Sequence, residues 1–264
     1  MSRILLPTPK RIGRRKFLGL SMAGLGATLL GGCDRLSEAP QFLDLLGSAE
    51  GLTYRMQRLL GGNALAREFS AADLSPDFKV NGTQAPDTPE YAAFQETGFA
   101  NWRLRVDGLV VKPLDLSLAD LRALPQRTQI TRHDCVEGWS AIGKWQGPTL
   151  GDVLKSAGVQ PAARFAVFHC ADFYERAADG TGQYYESIDL IDAFHPQTIL
   201  AHRLNDEPLS VGHGAPLRLR VERQLGYKQA RYVMRIELTD RLDLLGRGKG
   251  GFWPDRGYEW YAGI

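Results

Sequence analysis

Cys135 stands in RHDCVEGW, residues 132–139, among Arg132, His133, Asp134, Glu137 and Trp139. A core thiol ordinarily has apolar neighbours, so this one invites a chemical reading. As a thiolate it would ligate a soft metal or attack an electrophile. Zinc would need three or four Cys/His ligands, and His133-x-Cys135 and His169-Cys170 match no common zinc spacing. A nucleophilic cysteine would need a histidine partner, and His133 lies two positions away along a strand, on the same face. A disulfide to Cys170 is the third reading; it would close a loop of about 35 residues and stabilise by about 3–4 kcal/mol. The composition of the segment leaves all three open.

Two segments downstream suggest anion binding. SVGHGAPLRLRV, 210–221, places His213 between two glycines that let the backbone turn tightly, then opens a strand at Pro216. With Leu217, Leu219 and Val221 on one face, Arg218 and Arg220 fall on the other, either solvated or holding a phosphate bidentately. QLGYKQAR, 224–231, adds Lys228 and Arg231 in a turn-like run whose amides are available to phosphate.

These residues need elements to carry them. NWRLRVDGLV alternates like a half-buried strand from Trp102, and TQITRHDCV, 128–136, is a strand that delivers Cys135 to its C-terminal end. Ser117 with Asp120 forms a capping box before LADLRAL; Thr149 with Asp152 caps LGDVLKSA, which Gly158 stops. ARFAVFHCAD, TILAHRL, PLRLRVE and YVMRIELTD are further strands, and Ser187 opens the short helix IDLIDAF. SAEGLTYRMQRLLGG is a short helix ending at Gly61-Gly62, and 75–91 is an extended arm rich in turn formers. Strands and short helices mix without a βαβ rhythm, which predicts one α+β domain with a mixed, mostly antiparallel sheet.

The N-terminus is set apart. Arg3, Lys10, Arg11, Arg14, Arg15 and Lys16 precede any acid, and the uncharged run Phe17–Leu30 is too short to span a bilayer. GRRKFLGL resembles the twin-arginine signal, which exports folded proteins, often with a cofactor inserted. LLGGC at 29–33 resembles a lipobox with Cys33 as the lipidated residue; simple cleavage is the alternative. The whole chain carries 32 − 30 = +2, and without these six bases 26 − 30 = −4. Charge therefore gives no support to a nucleic-acid role.

Taken together, CVEGWS at 135–140, HGAPLRL at 213–219, LGYKQARYVMRIEL at 225–238 and GFWPDRGYEW at 251–260 resemble the molybdopterin-binding domain of the sulfite oxidase family, in order and spacing. The architecture is similar to that of its exported sulfoxide-reducing members. The chain ends soon after GYEW, which leads to the expectation that haem and C-terminal dimerisation domains are absent. The resemblance divides the chain into an export signal with a possible lipobox (1–33), an N-terminal arm (34–74) and a molybdopterin-binding oxidoreductase domain (75–264). It implies a molybdenum–molybdopterin cofactor with Cys135 on the metal. Asn81, Cys170, His213, Arg218, Lys228, Gln229, Ala230 and Arg231 would surround the pterin and phosphate. Cys170 departs from a threonine at its position.

Arg132 and His133 would face substrate if a turn brings them round, and Trp139, Tyr227, Trp253 and Tyr258 would wall the pocket. The reductase-type motif has a basic residue where this chain has Asp134. The implied activity is periplasmic oxygen-atom transfer on a small sulfur compound, sulfoxide reduction ahead of sulfite oxidation. Electrons would come through a membrane haem-b subunit or a cytochrome c. A non-catalytic lipoprotein using this fold as a binding module is the reading from another class.

Overall fold

The structure is a computed structural model, and it describes residues 39–176, 180 and 182–264. The twin-arginine and lipobox expectations fall on residues outside these. The chain divides into two compact units, Met1–Leu59 and Leu60–Ile264. Helix α1, Pro40–Gly61, accounts for the described part of the first unit; it begins earlier than SAEG and ends at Gly61, where Gly62 takes a positive φ of 44°. None of the helices in the described residues is long and apolar enough to cross a membrane.

The second unit is built on two main sheets. The larger orders five strands as β2-β1-β11-β5-β6: β2 Leu114–Ser117, β1 Arg103–Gly108, β11 Val233–Thr239, β5 Phe165–Phe173 and β6 Gln183–Asp189. Only β1 and β11 run parallel; the other neighbours are antiparallel. The smaller sheet orders β3 Gln126–Asp134, β4 Ser140–Pro148, β8 Arg203–Leu204 and β9 Glu207–Pro208, and a third pairing joins β10, Arg218–Arg220, to β7, Ile199–Ala201. The mixed α+β expectation holds.

Capping explains the short helices. In α3, Leu118–Ala123, the Ser117 hydroxyl and the Asp120 carboxylate satisfy each other's backbone amides, as the capping box predicts. Thr149 accepts from the Asp152 amide to start α4, Leu150–Ala157, and Gly158 ends it in the left-handed region. The 75–91 arm needs correction: α2 spans Pro89–Glu96, with Thr88 as N-cap and proline in its first turn. The helix expected from Ser187 is also shorter. β6 continues through Asp189, whose side chain caps α5, Leu190–Ala193. Strand β4 was hidden because glycines alternate with its apolar residues, Ala141 and Trp145 burying the face that the Gly143 and Gly147 positions share.

The main core lies on the five-stranded sheet. Trp102, Leu104 and Val106 pack with Phe168, Ile188 and Ile236 and with Leu150, Val153 and Leu154 of α4. Each of these large side chains is fully buried, worth about 1.5–3 kcal/mol apiece. A second cluster, Phe78, Trp145, Ile199, Ala201 and Leu204, fixes the smaller sheet beneath the cleft described next.

Candidate active site

CVEGW is the loop of the β3–β4 hairpin. Pairing is regular up to Asp134 opposite Ser140, and the five residues between close the turn. The Cys135 amide donates to the Trp139 carbonyl at 2.9 Å, and the Gly138 amide donates to the Cys135 carbonyl at 3.0 Å. Gly138 sits at φ 86°, a conformation that a side chain would strain, so the glycine of the motif sets the loop that presents the thiol.

The thiol opens into a cleft with a cavity volume of about 150 Å³. Asn81 reaches Cys135 Sγ through Nδ2 at 3.4 Å. His133 lines the same cleft, against Gly226; a β-carbon on that glycine would collide with the imidazole. Arg220 Nη1 lies 3.1 Å and Gln229 Oε1 3.3 Å from His133 Nδ1; a guanidinium only donates and an amide oxygen only accepts, so the ring tautomer sets which contact is made. Burial, and then Arg218 and Arg220, push His133 well below its ordinary value, which favours the neutral ring.

The basic residues divide into two groups. Arg220 is wholly buried and doubly paired with Glu222, Nε–Oε1 at 2.9 Å and Nη2–Oε2 at 2.6 Å. Arg218 and Arg231 line the cleft and form no ion pair among the described residues. They donate to the carbonyls of His213 and Gly212, at 3.3 and 3.1 Å, and Arg218 Nε has no partner. Burial, followed by the neighbouring Arg220 and Arg231, makes the Arg218 charge costly and pulls it well below its ordinary value. The solvated-face alternative for Arg218 and Arg220 does not hold, because both are buried.

The remaining expected residues are placed as follows. His213 lines the cleft, but both ring nitrogens are engaged, with Ser210 Oγ and with the Phe78 carbonyl, each at 2.7 Å. Gln229 lines it as well. Lys228 is buried outside the lining and ion-paired with Glu186, and Ala230 is core. Cys170 is fully buried behind the wall; both thiols are free, so the 135–170 disulfide is excluded, and burial pushes Cys170 well above an ordinary thiol. Arg132 does not turn toward the cleft. Regular pairing keeps it on the far face of β3, paired with Asp134 at 2.9 Å, beside a separate cavity with Arg67 and Phe69.

Trp139, Tyr227, Trp253 and Tyr258 all line the cleft. Sequence reasoning passed over Phe78, Tyr174, Tyr184 and Asp172, which line it too. Asp172 carried a signal: it is the lone acid in the mostly apolar strand FAVFHCADF. Burial raises its carboxyl to about 6, against the pull of Arg231 and the Thr83 side chain.

A cleft with a soft thiol on its hairpin side and two guanidiniums, Arg218 buried and Arg231 half-buried, that form no ion pair among the described residues suits an anionic, metal-bearing cofactor. Residues 91–243 match the family described as the oxidoreductase molybdopterin binding domain, and the chain belongs to that family. It is a molybdopterin-dependent oxidoreductase, and the cleft fits the group: buried Arg218, whose Nε has no partner, and half-buried Arg231 suit a phosphate, and Cys135 suits the metal.

Over 95% of this chain and 87% of the relative, it is 35% identical to the putative protein-methionine-sulfoxide reductase subunit YedZ1 of Azospira oryzae. It is 27% identical, over 69% of each chain, to the protein-methionine-sulfoxide reductase catalytic subunit MsrP of Campylobacter jejuni. Among solved structures, the sulfane dehydrogenase SoxCD from Paracoccus pantotrophus aligns with a TM-score of 0.48 and 25% identity, over 54% of this chain and 39% of that one.

Proposed function

We propose that the chain is an exported sulfoxide reductase acting on methionine sulfoxide or a close analogue, with Cys135 as the protein ligand to molybdenum. The observation that carries the reading is the polarity of the cleft: Cys135 and Asn81 are in contact at one place, and the unpaired Arg218 and Arg231 lie at another. Arg218 and Arg231 hold the phosphate, Asn81 steadies the thiolate, and Gln229 offers its amide to the cofactor. Bound there, the cofactor supplies two-electron oxygen-atom transfer. A sulfoxide then takes up two electrons and two protons and leaves as a thioether and water.

The walls beside Cys135 favour a neutral substrate over sulfite. Burial keeps His133 toward its neutral form, Arg132 faces away, and Val136, Trp139, Tyr227, Trp253 and Tyr258 stand in the wall. The cation on this wall is Lys79, whose Nζ lies over the Trp139 ring at 5.4 Å, and the alkyl arms of a sulfoxide would be desolvated favourably by the aromatic side chains. Electrons enter from a separate partner, a membrane haem subunit or a cytochrome c; the names of two relatives, a subunit and a catalytic subunit, support a multi-protein arrangement. Residues 1–33 act as a twin-arginine signal, and Cys33 anchors the mature protein at the periplasmic face of the membrane.

The test is metal analysis of the exported protein, then turnover of methionine sulfoxide with a reduced dye against sulfite with an oxidised one. Stoichiometric molybdenum and sulfoxide-dependent dye oxidation that Cys135→Ser abolishes are expected. Turnover of sulfite alone would transfer the assignment to the oxidative direction.

A further inference from the structure

A second cavity, of about 450 Å³, opens against the smaller sheet and shares no lining residue with the cleft. Arg122 lines it from the last turn of α3, Gln126 from β3, Gln146 from β4, His202 from the link between β7 and β8, and Arg203 from β8. His202 is 5% exposed, and its ring is held at one end only. Gln126 Nε2 donates to the carbonyls of Leu121 and Leu124, both at 2.8 Å, which closes the end of α3 and turns Oε1 toward His202. An amide oxygen only accepts, so the 2.8 Å contact between Gln126 Oε1 and His202 Nε2 places a proton on Nε2. Nδ1 is left buried with no hydrogen-bond partner.

Arg203 Nε is also buried without a partner, while its Nη2 donates to the Asp206 carbonyl. Buried polar atoms of this kind are costly, and in native folds they mark a ligand or a strained site. Neither Arg122 nor Arg203 forms an ion pair among the described residues. The charges acting on His202 are therefore of one sign: burial, then Arg122, then Arg203 lower it to about 4, with no carboxylate to offset them. Gln126 and Gln146 are neutral, and Asp206, the acid of the β8–β9 turn, is ion-paired with Lys144 at 2.8 Å. A metal cation would be repelled by both arginines. A neutral donor would suit Nδ1 but not Arg203 Nε, which only donates. An oxyanion meets all three groups, since the guanidiniums donate to it and a protonated Nδ1 does the same.

We infer that this cavity is a second ligand site, taking a small oxyanion of the sulfate or phosphate type between Arg122, His202 and Arg203. It uses none of the residues assigned to the cofactor. The anion supplies the counter-charge that the fold does not, so His202 takes up a proton as the anion binds, and affinity rises as pH falls.

The test is isothermal titration of the cofactor-loaded protein with sulfate at constant ionic strength, since sulfate keeps its charge across the range used. One sulfate per chain is expected, bound about fivefold or more tighter at about pH 5 than at about pH 7.5, with proton uptake read as a buffer-dependent heat. Arg122→Gln and Arg203→Gln should each weaken binding about tenfold, and His202→Gln should remove the pH dependence. Arg122 is exposed, so its replacement keeps the fold and decides the matter even where Arg203→Gln does not fold. Phosphatidylglycerol and phosphatidylcholine vesicles are tested with the same variants. Retention on the first alone, displaced by sulfate, assigns the oxyanion to a lipid head group; saturable sulfate binding without retention assigns it to a free ion. Absence of saturable binding to sulfate and to phosphatidylglycerol alike would overturn the inference. So would binding that Arg122→Gln leaves unchanged, or a pH dependence that survives His202→Gln.

Discussion

Arg218 and Arg220 sit two residues apart on β10, are equally buried, and should respond oppositely to the same substitution. Arg220 is doubly bonded to Glu222, itself buried. Arg220→Met strands that carboxylate, and breaking a buried pair in this way costs about 3–5 kcal/mol. Arg218 has no ion pair among the described residues; its support is the His213 carbonyl and the face of Trp145, 5.1 Å away. In the cofactor-free chain its buried charge is a liability of several kcal/mol, set against about 2 kcal/mol for a desolvated cation–π contact.

Arg218→Met should therefore stabilise the cofactor-free chain by about 1–2 kcal/mol, or raise Tm by about 2–8 °C for a unit of this size. In the loaded protein the sign reverses, because the phosphate loses a charge-assisted partner worth about 3 kcal/mol, roughly a hundredfold in affinity. Calorimetry on chain made with and without pterin, with cofactor content measured alongside, reads both effects. A lower cofactor-free Tm for Arg218→Met, or undiminished cofactor content, would refute the claim that Arg218 awaits an anion.

Four further outcomes follow from the same geometry. Gly138→Ala should cost about 1–2 kcal/mol and impair turnover more than stability, because the strained loop displaces Cys135; kinetics and a melting curve separate the two. Arg132→Ala should leave turnover within about twofold and stability within about 0.5 kcal/mol, since its partner Asp134 lies with it outside the cleft. In the cofactor-free chain, iodoacetamide should label Cys135 at once and Cys170 only after unfolding, as mass mapping would show. Asp172 holds its proton up to about pH 6 when folded against about 3.9 unfolded, so its stabilising contribution is full at low pH and is lost as pH rises from about 4 through about 6. The loss is about 3 kcal/mol, and Asp172→Asn should flatten that part of the cofactor-free stability profile.

Local rules made much of this molecule legible. Capping residues at Ser117 and Thr149 and the stop at Gly158 placed α3 and α4, because a helix end must satisfy its orphan amides nearby in sequence. Alternation located β1, apolar runs located β5 and β11, and the CVEGW, HGAPLRL and GYKQAR runs pointed to the cofactor through their joint resemblance to the molybdopterin-binding family. The same rules missed α2 and β4, whose signals were a Thr-Pro start and a glycine alternation.

Which chemical groups share a cavity was decided by the tertiary structure. Arg218 and Arg220 look alike in sequence, yet only folding pairs one with Glu222 and leaves the other to the cleft. Arg132 is next to His133 in the chain, and regular strand pairing sends them to opposite faces. Cys170 and Asp172 are two residues apart, and a bulge set by pairing with β6 determines which one the cleft meets. Sequence alone established most of the elements, the thiol and the basic residues, because those depend on neighbours in the chain. Partners and exposure depend on segments brought together over long separations, as Phe78 and His213 are across 135 residues, and so only the folded chain could assign them.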